Sequence, residues 1–71
     1  MSNIGRRLMQ LRAERSRKEI ADALGITKSA IAMYERGERI PKDKIKIRIA
    51  NLYGKSVEEL FFTEADNETL T

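Results

Sequence analysis

RKEIADALGITKSAIAMYER, residues 17–36, is the stretch whose order of small, apolar and helix-ending residues decides the fold. Ser16 precedes it and Glu19 stands three residues on, the pattern of a capping box: the hydroxyl accepts a backbone N–H and the glutamate reaches back. Ile20 and Leu24 share one face of the helix this opens. Gly25 can adopt the left-handed conformation that ends it. Thr27 then caps a second helix, with Ile26 and Ile31 placed as a hydrophobic staple, Ile31 and Tyr34 as its inner face and Gly37 as its stop. For two helices to meet at a tight turn and a steep angle, the fifth position must be small, the ninth must tolerate a left-handed backbone, and five others must be buried. Ala21, Gly25, and Ile20, Leu24, Ile26, Ile31 and Tyr34 occupy those positions.

Working outward, Ile4, Leu8 and Leu11 recur at helical spacing and predict a helix over 4–14, with Ser2 or Asn3 as its cap. Residues 38–42, ERIPK, read as a loop because the residue before proline disfavours the helical region. Residues 44–49, KIKIRI, alternate with the period of a strand. However, Ile45, Ile49 and Leu52 also keep helical spacing, and a lone strand would have no partner. A helix over 43–53 is therefore predicted, with Ile47 off its main apolar face and Gly54 as its end. Ser56-Val57-Glu58-Glu59 forms a second capping box, opening a short fifth helix lined by Val57, Leu60 and Phe61. From Thr63 the chain is acidic and polar and reads as a disordered tail over 63–71, leaving one domain over 1–62. The fold class is all-α, a compact five-helix domain.

Composition narrows the function. The 71 residues allow a single small core, and with no cysteine and no histidine the chain lacks thiolate and imidazole chemistry. No constellation of nucleophile and base, or of metal ligands, is present, so neither an enzyme nor a cofactor or small-molecule ligand is expected. No apolar run approaches a membrane span, the start MSNIGRR lacks the apolar stretch of a signal peptide, and a cytoplasmic protein is expected. The formal net charge is +3, but all 14 Lys and Arg lie within 1–55 against six acids, whereas 56–71 hold five acids and no base. A basic body with an acidic tail points to a polyanion partner.

Residues 17–36 resemble the helix-turn-helix of the lambda-repressor-like, Cro/CI-type family of DNA-binding proteins. The resemblance extends over roughly 4–62: Tyr34-Glu35-Arg36-Gly37, Arg39 and Pro41 resemble the stretch that closes the family's recognition helix, while Ile49-Ala50 and Ser56 to Phe61 resemble its fourth and fifth helices. Two positions depart from the family: Arg17 stands where glutamine is common, and Arg15, before the cap, replaces an apolar residue and leaves no staple with Ile20. The resemblance implies a homodimeric regulator of bacterial or phage type, a repressor in the simplest mode, bound to a near-palindromic double-stranded operator. Its recognition helix would lie in the major groove, with Thr27, Lys28, Ser29, Ala32 and Met33 at base edges. Arg17, Lys18, Arg36, Arg39, Lys42 and Lys44 would meet phosphates. Arg6, Arg7 and Arg12 are expected to be solvated surface of the first helix, Tyr34 a core residue, and Glu35 a structural partner for a nearby base. Ile47, Leu60, Phe61 and Phe62 are the expected dimer face, since so short a helix cannot bury Leu60, Phe61 and Phe62 all against its own domain, and Ile47 lies off the main face of the fourth helix. A protein-interaction module of antitoxin or adaptor type, using the apolar face of the fifth helix, is the alternative reading.

Overall fold

The computed structural model describes residues 3–62; the expected cap Ser2 and the acidic tail lie outside the described residues. Five helices follow one another: α1 (Asn3–Arg12), α2 (Arg17–Leu24), α3 (Lys28–Glu35), α4 (Asp43–Tyr53) and α5 (Val57–Phe61). Among the described residues there is no strand, so the alternating run at 44–49 is helical, as its longer spacing predicts.

Local chemistry sets most of the boundaries. Ser16, Thr27 and Ser56 each accept the N–H three residues ahead, at 3.0, 3.1 and 3.0 Å. Only at Ser56 does the glutamate return the bond: Glu59 Oε1 accepts the Ser56 N–H at 3.0 Å. That bond holds the Glu59 carboxyl below its ordinary pKa. Glu19 makes no such bond, so Ser16 is a simple cap and not the full box expected. At the other ends, Gly25 turns left-handed at φ 73°, where the N–H of Ile26 donates to Ala21 O at 3.0 Å. A side chain there would be strained, because L-residues resist that backbone. The same paired closure ends α3 and α4.

Helix α1 stops at Arg12, two residues short of the predicted end, because Ala13 itself turns left-handed with φ 54°. An alanine held there loses about 1–2 kcal/mol to steric crowding. Ala13→Gly removes that strain while adding about 0.5–1 kcal/mol of unfolded-chain entropy. Thermal melting of this variant should show a net gain of about 0.5–1 kcal/mol; an unchanged or lower Tm would place the strain elsewhere.

Packing joins α1 to α3 and α5, α2 to α3 and α4, and α4 to α5. The core is Leu8, Ile20, Ala21, Leu24, Ile31, Tyr34, Ile49, Ala50, Leu60 and Phe61. Leu60 and Phe61 are fully enclosed by their own domain, which removes them from the expected dimer face. The reason is that both α1 and α4 pack against α5, which lets so short a helix bury two large residues. Arg7 of α1 donates to the Leu60 carbonyl and so ties α5 down; it is not the plain solvated arginine expected. Ile47 and Phe62 remain outside, 54% and 47% exposed, along a groove of about 420 Å³ completed by Asp43, Lys46 and Val57. Lys46 covers the Phe61 and Phe62 rings at 5.4 and 5.0 Å.

Candidate nucleic-acid interface

The N-terminal turns of α2 and α3 share an open trough of about 640 Å³, lined by Arg12, Ser16, Arg17, Lys18, Lys28, Ser29 and Ala32. Four of these seven residues are cations, and none is an acid. Lys28 and Ser29 are exposed at the start of α3, while Ala32, one turn further, is half-buried on the trough wall. Met33 is also half-buried but does not line the trough. The Thr27 hydroxyl oxygen accepts the Ala30 N–H as the α3 cap, which leaves its O–H free to donate.

The six cations expected at phosphates divide into two groups. Lys18 donates to Asp22 at 2.7 Å, and Arg36 grips Glu38 with two bonds of 2.7 and 3.0 Å. These exposed pairs raise the pKa of both bases and lower that of Glu38. Such pairs are weak in water and exchange readily for a phosphate. Arg17 is bound more firmly, to Glu35. By contrast, Arg39, Lys42 and Lys44 are exposed and make no side-chain hydrogen bond or ion pair among the described residues. They form a basic edge running from the end of α3 to the start of α4.

Among the described residues Glu35 is the one buried charge, only 2% exposed. Its spacing placed it there: it follows Ile31 by four residues, on the same inner face of α3. Arg12 reaches it from α1 through Nε at 2.7 Å and Nη2 at 3.1 Å, and Arg17 from α2 through Nε at 3.0 Å. Arg12 is therefore a structural residue, 18% exposed, and not the solvated arginine expected. Its remaining nitrogen, Nη1, donates to the Arg15 carbonyl at 2.9 Å. The hydrogen bonds to Glu35 push the Arg12 guanidinium further above its already high pKa. This three-helix ion cluster is the feature that sequence reading missed. Arg12 and Glu35 are 23 residues apart, and no local pattern joins them. Arg15, the departure before the α2 cap, lies 5.7 Å over the Tyr53 ring of α4.

Comparison with known proteins agrees with this geometry. The helix-turn-helix family model matches residues 6–60. An uncharacterized HTH-type transcriptional regulator of Bacillus subtilis (strain 168), YgzD, is 24% identical over 52 residues, covering 73% of this chain and 79% of its own. Over 48 residues, 68% of the chain, identity is 50% with the replication factor C small subunit of Methanocaldococcus jannaschii, but the chain spans just 2% of that protein's length. So small a share carries none of the larger protein's activity to this one. No solved structure matches the chain. The described helices include none long and apolar enough to cross a membrane. With the bihelical unit, the basic trough and the family match in agreement, the chain belongs to the Cro/CI-type helix-turn-helix family of DNA-binding transcriptional regulators, a family of regulators and not of enzymes.

Proposed function

We propose that the protein represses transcription in the cytoplasm by occupying a near-palindromic operator as a homodimer, with α3 in the major groove. One observation carries this reading: Lys28 and Ser29 stand exposed at the start of α3, in the same trough as Arg17 and Lys18. The recognition helix of such a unit meets base edges with its N-terminal residues while the preceding helix crosses the backbone. Lys28 donates to guanine O6 and N7, Ser29 bonds to several bases, and Ala32 and Met33 touch a thymine methyl. Thr27 sits at the groove edge. Arg17, Lys18, Arg36, Arg39, Lys42 and Lys44 hold the backbone on either side. Repression needs no more than occupancy of a site that polymerase must use.

Ile47 and Phe62 are the proposed contact between protomers, setting the two recognition helices about 34 Å apart, one turn of DNA. Phe62→Glu should then leave the protein folded but monomeric at tens of micromolar and weaken its hold on a full palindrome. Sedimentation showing a monomer already in the wild type would remove the dimer from this account. The DNA-binding domain is taken to span 1–62, with 63–71 as a separate acidic segment.

Selection of bound sites from random duplex DNA tests the whole reading. Lys28→Ala should relax preference at one position in each half-site, at about 1–3 kcal/mol for the favoured base. An unchanged motif would mean that α3 does not read bases. The same exposed apolar groove at Ile47 and Phe62 supports a second reading, an antitoxin or adaptor docking another protein there. Salt separates the two, because DNA affinity falls steeply as salt is raised and an apolar contact does not weaken in that way.

A further inference from the structure

We propose that Glu35 is a positioning residue for DNA binding: it holds Arg17 by Nε so that both Nη groups are presented to a backbone phosphate. The proposal rests on the reading that Arg17 meets the backbone. The geometry distinguishes the two arginines on this carboxylate. Arg12 commits Nε, Nη1 and Nη2 each to a protein acceptor and is only 18% exposed, so little of its guanidinium is left for a ligand. Arg17 commits Nε alone, remains 42% exposed and lines the trough, so its two Nη groups are left uncommitted there.

Charge explains why two cations are needed. A carboxylate paired with Arg17 alone would cancel its charge and leave only a weak dipole to attract a phosphate. Arg12 cancels the Glu35 charge, so the cluster of three carries a net positive charge, and Arg17, the more exposed of the two arginines, is the one that offers it to DNA. Order is gained as well. Glu35 is 2% exposed and is gripped by Arg12, so it is a fixed anchor. A long side chain held by such an anchor gives up its rotamer freedom when the protein folds, and loses little more when DNA binds. The planar guanidinium suits this double task, because its fork meets carboxylate and phosphate on different edges. Lysine, a point donor on a flexible stem, cannot hold both. Glutamine, common in the family at this position, carries no charge to place.

The test uses the 71-residue chain and a short random-sequence DNA duplex. In the free protein, the Arg17 Nε–H should give a slowly exchanging NMR signal that the unpaired Arg39 lacks, and that signal should persist when duplex is added. Arg17→Lys should bind about fivefold more weakly with its salt slope unchanged, because charge is kept and only the ordering of one side chain is lost. Arg17→Gln should bind about tenfold more weakly with a slope lower by about one. In a Glu35→Gln background the Arg17→Lys penalty should fall below twofold; should that background fail to fold, the NMR signal and the single variants still decide. Arg17→Lys binding like wild type while Arg17→Gln loses affinity would overturn positioning and leave a simple charge contact. Wild-type affinity in both variants would overturn the backbone contact itself, and loss of the Nε signal on duplex binding would show that Glu35 lets go.

Discussion

Replacing Glu35 with alanine is expected to destabilise the domain by about 3 kcal/mol, at the low end of the range for breaking a buried ion pair. The low end applies because Arg17 is half-exposed and can return to water, whereas Arg12 is left with an unpaired guanidinium near the core. Domains of this size carry stability of only several kcal/mol, so the loss is a large part of the whole. Thermal melting should show a fall in Tm on the order of 12–24 °C. The decisive comparison is the double variant Arg12→Met with Glu35→Met. Removing both charges leaves nothing buried and unpaired, and replacing a buried pair by apolar groups is often close to neutral. The double variant should therefore melt well above Glu35→Ala. If it melts lower, Glu35 stabilises through packing and not through charge.

Gly5→Ala should be nearly as damaging, although alanine is the best helix former and glycine among the worst. A methyl group built at Gly5 would stand 2.2 Å from the Glu35 carbonyl oxygen and 2.8 Å from its carbon. Those atoms are backbone at the end of α3, so no side chain can swing aside. Overpacking of this kind costs about 1–3 kcal/mol, and more where backbone must move. The propensity gain of at most about 1 kcal/mol cannot offset it, because Gly5 lies in the first turn. Helix α1 must lift from α3, which also draws Arg12 away from Glu35. The expected net loss is about 2–3 kcal/mol, read by urea unfolding. Combining Gly5→Ala with Glu35→Ala should cost less than the two separately, since the first already loosens the pair that the second removes. A stability equal to wild type would mean that α1 and α3 do not approach so closely.

These two residues mark where sequence reading stops. The turn between α2 and α3, the caps at Ser16, Thr27 and Ser56, the glycine ends and the buried Ile20, Leu24, Ile31 and Tyr34 were all legible, because each depends on residues within a few positions of one another. The helical identity of 43–53 was legible for the same reason: Ile45, Ile49 and Leu52 keep their spacing through a run that locally imitates a strand. Exposure of Lys28 and Ser29 followed from their place in the first turn of α3, ahead of its buried Ile31 and Tyr34. Even Glu35 was readable as a structural acid, being one turn beyond Ile31.

Which base it pairs with was not. Arg12 and Arg17 come to Glu35 from different helices, and only the approach of α1 and α2 to α3 brings two guanidinium groups onto one carboxylate. The same approach turns Gly5 from a weak helix residue into the one residue small enough for the contact. It is also tertiary packing that encloses Leu60 and Phe61 between α1 and α4 and leaves Ile47 and Phe62 outside. Periodicity identifies a residue's face on its own helix. How many neighbours cover that face depends on helices distant in sequence, so the sequence by itself determined the elements and the helix-turn-helix unit, and the assembled helices decided the ion cluster and the exposed apolar edge.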